Sequence, residues 1–143
     1  MNLLLKFLAF TIVMLFSISS ANENFFNKAK ILYEEEKYDE SKFLFQRNII
    51  FNPKDSKSYL YLAKIFNFEE NERQEEKYLN TTLLLEPDNE DAMYMLIDME
   101  LKRSDYSEVK DLLKNFSKIC NSLCNKIVSI KKRLHDIEAK EET

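Results

Sequence analysis

Residues 51–63 read FNPKDSKSYLYLA, and residues 85–97 read LEPDNEDAMYMLI. In each, a proline interrupts a run of helix-favouring residues, because its ring and missing N–H cannot continue a helix and it biases the preceding residue towards extended backbone. After the first break, Asp55 or Ser56 is placed to cap a new helix by accepting from its free amides. Pro53 and Pro87 are separated by the same interval as Ala29 and Ala63, and Phe25, Tyr59 and Met93 fall on that period too. Tyr38 and Tyr106, and likewise Glu40 and Glu108, are two periods apart. A period shared by unlike residue types, at the length of one helix-turn-helix unit, marks a helical repeat array.

Composition agrees. The 143-residue chain has no glycine and two prolines, so tight β-turns and phosphate-cradling loops lack their usual residues, whereas Leu, Lys, Glu and Met favour helix. A chain of this length supports one core. Its net charge of -4 is spread over interspersed acids and bases, with no basic stripe of the kind that binds nucleic acid.

On these residues the chain resembles the tetratricopeptide-repeat family over residues 22–121. In the first unit (22–55), Phe25, Ala29 and Leu32 match the family's large, small, large pattern on helix A. Lys37-Tyr38-Asp39-Glu40-Ser41 resembles the start of helix B, and Phe45, Ile49 and Phe51 continue its buried face. The second unit (56–89) repeats this with Tyr59, Leu62, Ala63 and Phe66, then Leu79, Leu83 and Leu85. The third (90–121) offers Met93, Leu96, Ile97, Tyr106, Val109 and Leu113. Glu72, Glu75 and Glu100 stand where the family pattern has apolar or small residues, and they place the packing of the second unit's helix B in question. The resemblance implies an all-α, right-handed solenoid of antiparallel helix pairs, closed by a terminal capping helix at residues 122–143.

The N-terminus reads as an address. Met1 to Lys6 carries two positive charges, the run from Phe7 to Asn22 is uncharged, and Ser19-Ser20-Ala21 offers the small residues of a signal-peptidase site. Cleavage after Ala21 is expected, giving an exported, periplasmic or secreted protein; the alternative is an uncleaved anchor over residues 1–21. The uncharged run is shorter than the ~20 residues that span a bilayer. Membrane contact is expected only through this segment.

Leu123, Ile127, Ile130, Leu134 and Ile137 recur at spacings of 4, 3, 4 and 3, which places them in one stripe of a final helix. A repeat array needs such a helix as a cap, with one apolar and one wet face. The same spacing satisfies two heptads, so dimerisation through this helix stays open. Just before it, Cys120 and Cys124 are candidates for a disulfide staple if the chain reaches an oxidising compartment; two buried free thiols are the alternative.

The search for catalytic chemistry finds little. Without glycine there is no phosphate loop, dinucleotide fingerprint or nucleophile elbow, and His135 is the only histidine. It follows Lys131-Lys132-Arg133 on a wet face. No metal site or cofactor is expected, and an enzyme is the least favoured class. Asn80-Thr81-Thr82 and Asn115-Phe116-Ser117 match the glycosylation pattern but lie within expected helices.

The favoured function is a protein-interaction module acting as scaffold or adaptor in an envelope process; the alternative is a structural subunit using its outer surface or last helix. In the tetratricopeptide-repeat family, helix A of each unit lines a peptide groove. By that resemblance the lining is Phe26, Lys30 and Tyr33, then Lys57, Leu60, Lys64 and Asn67, then Asp91, Tyr94, Asp98 and Leu101. Such a groove is basic at its first two units and acidic at its third. Some members hold a chaperone's C-terminal carboxylate with a lysine and asparagine clamp. The matching positions here include Phe26, Tyr61, Asp91 and Met95, which cannot form that clamp.

Overall fold

The structure, a computed structural model, describes residues 25–141, so the expected leader and its cleavage point at Ala21 lie outside the described residues. Among the described residues seven helices follow one another: α1 (25–34), α2 (Tyr38–Phe51), α3 (Ser56–Phe68), α4 (Glu72–Leu85), α5 (Glu90–Arg103), α6 (Tyr106–Ile119) and α7 (Lys126–Glu141). Each helix packs on the next, and α1/α2, α3/α4 and α5/α6 form three antiparallel pairs with α7 as a cap.

The repeat period is visible in the core. Phe45, Leu79 and Leu113, one period apart on successive second helices, are all buried, as are Ala29, Ala63 and Ile97 on the first helices. The two alanines leave room for close helix approach, and the Ser41 hydroxyl donates to the Ala29 carbonyl at 2.8 Å across the first pair. Emptying a site such as Phe45 costs ~3–5 kcal/mol, since partners on neighbouring helices close a large cavity only in part.

The turns carry the period as well. Glu36, Glu70 and Ser104, again one period apart, hold left-handed backbone with φ of 59°, 56° and 62°. In each, the next amide reaches back across the turn, from Lys37 to Leu32, Asn71 to Phe66 and Asp105 to Glu100, at 2.9–3.1 Å. This is the helix-ending turn that usually employs glycine. Asn71, Asn89 and Asp105 then cap the following helices, accepting from the amides of Gln74, Ala92 and Glu108.

Three details differ from the sequence-based expectation. Asp55 stands at the start of α3, but its carboxylate accepts from Asn48 at 2.7 Å and from the Ser58 hydroxyl at 2.6 Å rather than capping the helix with its side chain. Glu75 is buried in α4 without disrupting it, because Asn67 donates to its carboxylate at 2.9 Å. Burial raises the Glu75 pKa, opposed by that hydrogen bond. Glu72 and Glu100 join Glu76 around the Arg103 guanidinium, which ties α4 to α5.

The stripe of α7 closes the far end. Ile130 and Leu134 are 1% and 7% exposed, and Leu123, Ile127 and Ile137 pack at the margin of the same core. The face on which dimerisation through α7 would rest is therefore used within the chain.

Candidate functional site

The inner face expected from the resemblance is the one formed by the first helix of each pair, α1, α3 and α5. At the first two pairs its floor is aromatic. Tyr61 on α3 stacks on Phe45 at 4.9 Å and meets Phe26 and Tyr33 of α1 edge-on at 5.9 Å and 5.0 Å. Phe26, Tyr33 and Tyr61 are each half-buried, so they are held by packing and still present an edge to solvent. Burial, with Tyr38 and Tyr61 nearby, raises the Tyr33 phenol above its ordinary pKa. The Lys64 ammonium sits 5.7 Å from the Tyr61 ring centre and pairs with Asp91 of α5 at 3.0 Å.

The third pair is arranged otherwise, because α7 reaches across it. Lys126 lies over the Tyr94 ring at 5.6 Å, and Arg133 pairs with Asp98 at 2.6 Å. Burial opposes the Asp98 charge, but its hydrogen bonds to Arg133 and Lys102 outweigh this and hold its pKa below the ordinary value. The loop leading into α7 is clamped from the start of α5. The Glu90 carboxylate accepts from the amides of Asn121, Ser122 and Leu123 at 2.8–3.1 Å, and from the Ser122 hydroxyl. These donors hold the Glu90 pKa down at about 2. A disulfide between Cys120 and Cys124 closes that loop across a Cα separation of 5.2 Å.

Of the expected lining residues, Phe26, Tyr33 and Lys64 gather around Tyr61. Lys30 pairs with Glu34 at 3.6 Å on an exposed turn of α1, and Lys57 is exposed. Asn67 is spent on Glu75. Leu60 and Leu101 are only 8% and 2% exposed and belong to the core. The accessible stripe of α3 runs through Lys57, Tyr61, Lys64 and Phe68, one residue on from Leu60, a rotation of about 100°. The same 4, 3, 4 spacing was present in the sequence and would have found Tyr61. The contrast of sign along the groove is also reduced, since Lys64 neutralises Asp91, and Lys102 and Arg133 neutralise Asp98.

Among solved structures, the type III secretion translocator chaperone SycD of Yersinia enterocolitica is similar with a TM-score of 0.74 at 16% identity, over 87% of this chain and 88% of that one. The first tetratricopeptide-repeat domain of Spaghetti (RPAP3), solved bound to the HSP90 peptide SRMEEVD, gives 0.71 at 12% identity over 82% and 95%. The fold is that of a tetratricopeptide-repeat domain. SycD in complex with a peptide of the translocator YopD gives 0.72 at 14% identity, over 85% and 95% of the two chains. Neither a family model nor a curated protein matches the sequence. Among the described residues, no group of side chains could hold a metal ion, and no helix is long and apolar enough to cross a membrane.

Proposed function

We propose that the chain is an exported protein-interaction module that binds an extended peptide or a helix on the inner face of its first two helix pairs. The observation that carries the reading is the exposed aromatic edge of Phe26, Tyr33 and Tyr61, flanked by Lys30, Lys57 and Lys64, beside a third pair that α7 covers. Rigid, half-buried aromatic rings offer contact area at little cost in ordering, and such residues dominate binding energies. The peptide complexes of SycD and RPAP3 support this use of the fold. The ligand segment is chiefly apolar, with an acidic residue beside the exposed Lys57, since Lys30 and Lys64 are paired with Glu34 and Asp91. A lysine and asparagine carboxylate clamp has no counterpart in Tyr61 and in an Asp91 already paired with Lys64.

Export is supported by the leader-like N-terminus and by the Cys120–Cys124 disulfide, a bond that persists in oxidising compartments. N-terminal sequencing of the recovered protein should begin at Asn22; intact Met1 would favour the anchored form. For the groove, acidic peptides carrying an aromatic residue are titrated by fluorescence anisotropy. Tyr33→Ala should weaken binding by about tenfold or more, roughly 1.4 kcal/mol. Lys64→Glu should slow association, most at low salt. Binding indifferent to both changes would remove the groove from consideration. The second reading, assembly through the outer surface, draws on Ile50 and Leu84, which are one repeat period apart and both exposed.

A further inference from the structure

The two ends of a helical repeat array face the same physical problem. Every internal pair buries both of its flanks against neighbours, and a terminal pair has one flank with none. At the C-terminal end α7 covers that flank. At the N-terminal end, α1 and α2 leave a cleft of about 460 Å³ lined by Leu32, Phe43 and Leu44, with Lys28, Asp39 and Glu40 at its rim. Phe43 remains 60% exposed, and its helical neighbour Leu44 is half-buried.

We propose that this flank is a homodimer interface in which a second copy of the chain presents the same cleft and the two Phe43 rings are buried together. The rim argues for a second copy over an unrelated partner. It carries Lys28 on α1 and Asp39 and Glu40 on α2, so it holds both signs and is complementary to itself. A two-fold axis in the plane of the flank sets each Lys28 against the other chain's Asp39 and Glu40, the self-complementary pattern of an isologous contact. In an interface of this kind an apolar centre supplies the attraction and the charged rim fixes the register. With the leader removed after Ala21, only Asn22 to Asn24 precede Phe25, too little chain to cover the cleft from within. This last point rests on the export reading, which the sequence of the N-terminus checks separately.

The full chain is expressed in an exporting host, its N-terminus is sequenced, and its mass is followed by light scattering and sedimentation across the micromolar range. The expected result is a mass of two chains. Phe43→Glu should raise the dimer dissociation constant by about tenfold or more while helical content stays unchanged, and the thermal midpoint should lose its dependence on protein concentration. Lys28→Glu should also give single chains, and the triple change Lys28→Glu, Asp39→Lys, Glu40→Lys should restore the dimer, which no general loss of folding could produce. A single chain at every concentration with Asn22 as its first residue overturns the proposal. A single chain that retains Met1 overturns it too, in favour of the chain's own N-terminal segment as occupant. A dimer that tolerates both Phe43→Glu and Lys28→Glu also overturns it, because the contact then lies elsewhere.

Discussion

The two ends of this solenoid are finished in opposite ways. At the C-terminal end a whole helix is devoted to closure: Ile130 and Leu134 are buried, Glu90 grips three successive amides of the preceding loop, and a disulfide holds that loop in shape. The N-terminal end has an apolar cleft with an exposed phenylalanine and no helix laid over it among the described residues. One end is therefore closed within the chain, and the other leaves apolar surface open among the described residues. The inner face follows the same gradient, open over the first two pairs and covered by α7 over the third.

The largest effects should come from stripping the closed end. Leu134→Ala or Ile130→Ala removes a buried side chain between packed helices and should cost ~2–5 kcal/mol in chemical denaturation. Phe43→Ser at the open end should change the stability of the single chain by less than about 1 kcal/mol. Equal losses at both ends would break the comparison. Next, replacing Cys120 and Cys124 by serine frees the loop and should cost about 2 kcal/mol, the scale expected for a short cross-linked loop. Hydrogen exchange should quicken at Asn121, Ser122 and Leu123 while α1 to α4 keep their protection.

The Glu90 clamp sharpens the contrast through pH. Its folded pKa, about 2, lies below the ordinary 4.5, so the charged form is preferred in the folded protein. The stabilisation is complete above pH 4.5 and is lost as pH falls towards about 2. The protection factors of the α7-loop amides, corrected for intrinsic exchange, should fall over that window in the native protein, and Glu90→Gln should show the lower protection already at neutral pH. The smallest effects belong to the turns. Glu36→Gly, Glu70→Gly and Ser104→Gly each relieve a left-handed residue and should stabilise by up to about 1 kcal/mol, read as a small rise in denaturation midpoint.

Much of the fold was legible because a repeat array writes its period into residues of different kinds: Pro53 with Pro87, Ala29 with Ala63, and the stripe of α7 as a cap. The turns were not, since Glu36, Glu70 and Ser104 give no glycine signal, and only their common spacing in the folded chain reveals them. The buried Glu75 was legible as an anomaly but not as a solved one, because its partner Asn67 comes from the facing helix. The candidate site was legible in part. Phe26, Tyr33 and Lys64 followed from the resemblance to tetratricopeptide repeats, but the resemblance pointed to Leu60, and the adjacent Tyr61 is the accessible residue. Coverage of Tyr94 and Asp98 depends on where α7 lies, and the sequence of a capping helix does not state which side chains it will cross. The charges were visible singly, whereas their pairing across helices was not.

The most direct test of the inner face is a nuclear magnetic resonance titration of the isotopically labelled protein with an acidic, aromatic-containing peptide selected for binding. Shifts centred on Phe26, Tyr33, Tyr61 and Lys64, with α7 and the Phe43 flank unmoved, are the predicted result. Shifts confined to α7, to the Phe43 flank or to the outer row of Ile50 and Leu84 would contradict it.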